Sequence, residues 1–218
     1  MHLVRRSLAV LTAALFVVGA LALPAFAKSD KQVAKAASIT VADLGKGWKA
    51  TKHVDDPPSG IAACADTDAA NQRSKKYKFQ APDFEQGGSQ VTNSVYVFPN
   101  VKAAKAYLAA FQDPSALECL QDGLDQKIEN APGASVDVSE FDVTGGPAQD
   151  GVGYEVVLRD SVPNQSGTTD PIVIVADIVA FRVGRGVTGL TTQNVDEALP
   201  ITADLATLSI KRLKKGLK

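Results

Sequence analysis

The chain predicts an α+β domain, an antiparallel β-sheet with helices packed mainly on one face. Three features point there. Strand-like and helix-like patterns are segregated along the 218 residues instead of alternating as βαβ units. The later strand patterns meet across short glycine-rich connections such as Gly184, Arg185, Gly186, which suit antiparallel hairpins. The helix patterns start at capping residues and repeat apolar positions at helical spacing, as after Asn100 and after Asp113.

The first 27 residues stand apart from that domain. Arg5 and Arg6 give a positive start, Leu8 to Leu23 an apolar run, and Ala25, Phe26, Ala27 a small-x-small site ahead of Lys28. This is the pattern of a secretory signal peptide cleaved after Ala27. The competing reading is an uncleaved anchor, because the apolar run lies near the lower limit for spanning a bilayer. No cysteine stands at the cleavage point for lipid attachment, and no twin-arginine consensus follows Arg5 and Arg6, which favours general secretion. No second long apolar stretch follows, so the expectation is a product without a transmembrane span.

Past the signal, residues 28–38 are polar and Ala-rich and read as a flexible lead-in, with one domain from 39 to 218. Thr40 with Asp43 three residues on makes a capping box for a very short helix stopped by Gly45. The segment His53 to Gly60 has loop chemistry, and Ile61 to Ala70 fits a short helix carrying Cys64. Arg73 to Gly88 is charged and turn-rich, with Phe79 and Phe84 as anchors. In Ser89 to Phe98, Val91, Val95 and Val97 alternate with Thr92, Ser94 and Tyr96, which is a strand.

Two helices come next. Val101, Ala104, Leu108 and Phe111 share one face of the first, and Leu117, Leu120, Leu124 and Ile128 one face of the second, which opens at Asp113 and Pro114. Strands are expected at Ala134 to Val143, Gly151 to Arg159, Pro171 to Val183 and Val187 to Thr192. A last helix runs from about Ile201 to Lys214, with Leu205 and Leu208 inward.

Composition excludes several classes of function. The net charge of the whole chain is −1, and loss of Arg5 and Arg6 makes the mature protein more acidic, which argues against a nucleic-acid partner. The basic residues Lys211, Arg212, Lys214, Lys215 and Lys218 are confined to the tail. They suit the negative end of a last helix, or a weak attraction to an anionic membrane surface. The two histidines are His2, which leaves with the signal, and His53, which sits without a recognisable nucleophile turn. One histidine cannot build a histidine-rich zinc site, so no metal site and no cofactor are expected. Cys64 and Cys119 are the only cysteines, and in an oxidising compartment they are expected to form a disulfide.

Paired carboxylates leave no local signature, so Asp55 with Asp56, or Asp142 with Asp150, are nominal candidates for glycoside hydrolysis. Against them stand the single tryptophan and the loop context of these acids. Gly145 and Gly146, with Asp150, Gly151 and Gly153, flank a turn between strands, whereas a phosphate cradle needs a strand leading into a helix.

The most informative segment is Pro171 to Val183. Ile172, Ile174, Ala176, Ile178 and Ala180 occupy one side, and Val173, Val175, Val179 and Phe181 the other. An antiparallel strand with one wet face should alternate apolar and polar. Both faces of this strand therefore need cover, either by the protein itself or by a ligand or partner in an apolar groove. Asp177 interrupts the second face and needs compensation; Arg159 on the neighbouring strand is the expected partner, or else Asp177 marks a polar point in a groove.

The run Ile39, Thr40, Val41, Ala42, Asp43, Leu44, Gly45, Lys46, Gly47, Trp48, an early cysteine, the strand Val91 to Phe98, and a helix leading to Cys119 and Leu120 are similar to a group of exported actinobacterial domains. They resemble the extracytoplasmic sensor domain of mycobacterial receptor Ser/Thr kinases and its free-standing relatives. The resemblance implies an antiparallel sheet with flanking helices and a cleft for a ligand. It departs in that those sensor domains usually have two disulfides, while only Cys64 and Cys119 are available here. The expected function is a secreted, non-enzymatic binding domain for an apolar or envelope-derived ligand, or for another envelope protein; a two-carboxylate envelope hydrolase is the alternative.

Overall fold

The computed structural model describes residues 28–53, 64, 76–131, 133–143, 148, 150–163 and 169–218. The export signal, Asp55 with Asp56, and all of the helix expected at 61–70 except Cys64 lie outside the described residues. The elements run α1 (Asp30–Ala37), α2 (Val41–Leu44), β1 (Lys49–Thr51), β2 (Tyr77–Gln80), β3 (Asp83–Gln86), β4 (Ser89–Val97), α3 (Val101–Phe111), α4 (Pro114–Ile128), β5 (Ser135–Phe141), β6 (Asp150–Pro163), β7 (Thr169–Val183), β8 (Gly186–Val195) and α5 (Thr202–Gly216). This is the α+β class that the sequence predicts.

Among the described residues eight strands form one antiparallel sheet, in the order β1-β3-β4-β8-β7-β6-β5 with β2 also on β4. β2 and β3 lie end to end along the same edge of β4. The segment expected to be turn-rich is therefore a broken strand. Ala81 N–H still bonds Asn93 O at 3.0 Å, but Pro82 has no N–H to continue the ladder. At the centre, β4 pairs with β8 from Gln90↔Gln193 to Val97↔Gly186, joining the two halves of the chain. Gly184 takes a φ of 57° in the turn between β7 and β8, a conformation that costs glycine little.

Helices cover both faces, not mainly one. On the first face, α1 and α5 pack over Val91, Val95 and Val97 of β4 and Val179, Phe181 and Val183 of β7. On the other, α3 and α4 pack over Val152, Tyr154 and Val156 of β6 and Val136 of β5, alongside the even-numbered side chains of β7. The division follows from the chain's own order. The helices flanking the sheet in sequence lie together on one side, and the two between β4 and β5 fold back over the other. It also explains why β7 scarcely alternates, since each of its faces meets a helical layer.

The expected frayed lead-in contains α1. Ser29 and Gln32 form a full capping box, and Val33, Ala34 and Ala37 are buried. Small residues bring α1 close to α5: a Cβ placed on Gly216 would lie 3.0 Å from Val33 Cγ1. The predicted box at Thr40 and Asp43 is present at the start of α2. In α3, Asn100 caps Ala103 N as expected, but Val101 is 45% exposed and Tyr107 is buried instead. In α4, Asp113 caps Ser115 N and Pro114 takes the first turn.

Candidate functional site

The side chains of Ile172, Ile174, Ala176, Ile178 and Ala180 in β7 are only half-buried, because α3 crosses part of that face and leaves a cleft beside it. Two rows of cross-strand neighbours form its floor. One is Tyr154, Ile178, Thr191 and Thr92; the next is Val152, Ala180, Gly189 and Ser94. Tyr96, Tyr107 and Phe111 supply further lining. The free volume is about 140 Å³, the size at which an apolar cavity of about 150 Å³ accepts a benzene-sized guest. Gly189 keeps the floor open, since a Cβ there would lie 3.3 Å from Ser94 Oγ.

The aromatic wall is held from three sides. The Tyr154 hydroxyl donates to Phe111 O near the end of α3, fastening helix to sheet. Tyr107 packs among its neighbours with tilted and edge-on rings, the centroids 5.1 Å from each of Tyr96, Phe98 and Phe111. Lys76 Nζ stands 4.5 Å from the Tyr107 centroid and 4.9 Å from that of Tyr96, a cation–π contact that braces both rings. Burial, and then the adjacent Tyr96, holds the Tyr107 phenol far above its usual range. Burial also raises the Tyr154 phenol, with Glu140 and Asp113 adding to the effect. Both hydroxyls therefore stay protonated and act as fixed dipoles.

One flank of the floor is polar. Thr92 Oγ1 donates to Asp83 Oδ1 at 3.1 Å, and His53 Nδ1 meets the same carboxylate at 2.9 Å and 3.1 Å. The register explains the grouping, because Thr51, Asp83 and Thr92 lie in one cross-strand row and His53 is two residues beyond Thr51. His53 thus has a carboxylate partner near the cleft.

Asp177 does not pair with Arg159. It points to the α5 side of the sheet, where it is 8% exposed and hydrogen-bonded to Thr192 and Thr202. Burial raises its pKa, and the two threonine hydroxyls oppose the rise. Arg159 instead meets Asp137 on the exposed edge strand β5. Asp177 therefore plays no part in the cleft. Asp150 is engaged by Arg182, with Nε and Nη2 each 2.6 Å from Oδ2. Arg212 in the basic tail grips Asp43 with two contacts of 2.7 Å.

Cys64 and Cys119 are joined, their Cα atoms 5.4 Å apart, so residue 64 is tied to α4 on the cleft side of the sheet. Among the described residues no group of three or more His, Cys, Asp or Glu side chains could hold a metal ion, and no helix is long and apolar enough to cross a membrane.

Of the strands that line the cleft, β7 is the one whose apolar run marks it in the sequence as needing cover. The alternation of Thr92, Ser94 and Tyr96 marks a face of β4 that is not core, and that was the available signal. Tyr107 gave none, since its role depends on α3 lying across β8 and β6.

No family model matches the chain, and no curated protein matches it by sequence. Among solved structures it is similar to the extracellular domain of PknH from Mycobacterium tuberculosis, with a TM-score of 0.53 and 10% identity, over 86% of this chain and 97% of that one. At that identity the likeness is one of fold: an antiparallel sheet with flanking helices, of the kind that the resemblance in the sequence implies.

Proposed function

We propose that this chain is an exported, non-enzymatic binding domain of the sensor type, whose ligand enters the cleft between α3 and the sheet. One observation carries the reading: a mainly apolar floor built from four strands, with Gly189 leaving it open, beside a braced aromatic wall. Among the described residues the opposite face of β7 packs against α5, which leaves the cleft face for a ligand. The disulfide favours an extracytoplasmic setting. The likeness to a domain described as extracellular points the same way. Export would follow from signal cleavage after Ala27. Among the described residues nothing supports the hydrolase alternative: Asp150 is engaged by Arg182, and Asp55 with Asp56 lies outside them.

The test is native mass spectrometry of the exported full chain, searching for a copurifying small molecule, together with titration of benzene-sized probes. Ala180→Phe, which fills the floor, should abolish binding and leave the fold intact. A wild-type chain that carries no small molecule and binds no probe would overturn the proposal. N-terminal sequencing of the secreted product should begin at Lys28.

A further inference from the structure

Resting on the cleft reading, we infer that the cleft selects neutral, ring-sized ligands that present a hydrogen-bond donor, such as a hydroxyl or an N–H, to Thr92. The reasoning starts from a count of protons. A threonine hydroxyl has one hydrogen and two lone pairs. Thr92 has spent its hydrogen on Asp83 Oδ1. Toward the cleft it therefore offers acceptor lone pairs only.

Asp83 fixes that polarity from behind. Its carboxylate accepts from both Thr92 and His53 Nδ1, and an ionised carboxylate has no proton to return. The Ser94 and Thr191 hydroxyls in the same floor can each turn to donate or accept, so they adapt to the ligand. Thr92 cannot, and it sets the requirement. A ligand carboxylate or phosphate would bring acceptor oxygens against acceptor lone pairs, with the Asp83 carboxylate directly behind. The volume of about 140 Å³ limits the enclosed part to a single ring or a short branched chain.

A matched set of one-ring probes tests this on the full exported chain: benzene, phenol, anisole and benzoate, titrated by NMR at neutral pH. Phenol, which can donate, should bind about tenfold more tightly than benzene, the worth of roughly one neutral hydrogen bond. Anisole, an acceptor without a proton, can be met by the Ser94 or Thr191 hydroxyl but not by Thr92, so it should bind less tightly than phenol, and benzoate should bind least. Thr92→Val should remove the advantage of phenol over anisole. Asp83→Asn lets the amide donate to Thr92 and frees the threonine hydrogen, so the preference should swing from phenol toward anisole. That second variant keeps the inference testable if Thr92→Val does not fold. Benzene and phenol binding equally well, or anisole and benzoate matching phenol, would overturn the donor requirement and leave the cleft reading standing. Failure of every probe to bind would overturn both.

Discussion

The side-chain oxygen of Asn93 accepts the backbone N–H of Ile39 at 2.9 Å, across 54 positions of sequence and inside the core. The same amide donates to Gly189 O at 2.8 Å and to Thr188 Oγ1 at 3.2 Å. Thr188 in turn meets Ser209, whose hydroxyl donates to Ala37 O at 2.9 Å. One fully buried polar chain thus joins β4, β8, α5 and the end of α1. Replacing Asn93 by Leu should strand the Ile39 N–H without a partner. We expect a loss of about 3 kcal/mol, read by denaturant unfolding. A loss below about 0.5 kcal/mol would mean that the network is not part of what holds α1 in place.

Arg212 and Asp43 form a two-pronged pair that fastens the opening turn to the last helix, and Arg212 also donates to Ser38 O at 3.1 Å. The Arg212 hydrogen bonds hold the Asp43 carboxyl below its usual range, with the Thr40 bonds helping and burial opposing. A carboxyl depressed in the folded state contributes stability above its unfolded pKa of about 3.9 and loses it as pH falls through the folded value. Arg212→Ala should cost about 1 to 2 kcal/mol at pH 7. The gap between wild type and variant should close below about pH 4. Thermal melts over pH 2 to 8 would check both; a gap independent of pH would point to lost packing instead.

Asp177 predicts the opposite slope. Its pKa is raised in the folded state, so the folded protein binds the proton more tightly than the unfolded chain does. The favourable contribution is complete below the unfolded pKa of about 3.9 and is lost as pH rises through the folded value. Asp177→Asn keeps hydrogen-bonding capacity toward Thr192 and Thr202 without the buried charge. At neutral pH it should raise the Tm by a few degrees, for a gain of about 1 kcal/mol. The same change should leave stability nearly unaltered at pH 3.5. A lower Tm at pH 7 would show that the carboxylate is needed where it is.

Joining Cys64 to Cys119 closes a loop of 55 residues in sequence separation. The chain-entropy model assigns such a loop about 4 kcal/mol. Cys119→Ser should lower stability by that order in non-reducing buffer. Wild type should fall to the same level on reduction, and intact mass before and after alkylation verifies the bond. A variant as stable as the oxidised wild type would show that the bridge serves something other than stability.

Much of this architecture was legible where signals are local. Thr40 with Asp43, Asn100, and Asp113 followed by Pro114 announced their helices, because a cap acts within one turn. The apolar run of β7 announced a strand with two covered faces. What stayed hidden depends on partners distant in sequence. Ala34 and Ala37 carry no periodic signal by themselves, and their burial comes from the packing of α1 on α5 and the sheet. Pro82 made the β2 and β3 segment resemble a turn, although both halves pair with β4. Thr202, which compensates Asp177, lies 25 residues after it on a helix whose position only the folded sheet defines. The cleft assembles residues from β4, β6, β7, β8 and α3, and no stretch of sequence contains more than a fraction of it.

The pairing of β4 with β8 also orders events in time. A strand ending at Val97 waits for a partner that begins at Gly186, so the middle of the sheet cannot close until the chain has been made as far as β8. Until then β4 has only the β2 and β3 segments on one side, and its other edge is open to chance pairing. α5 comes later still, and it seals the face that β4 and β8 complete. Joining β4 to β8 is therefore a late, long-range step in folding, and an open β4 edge precedes it.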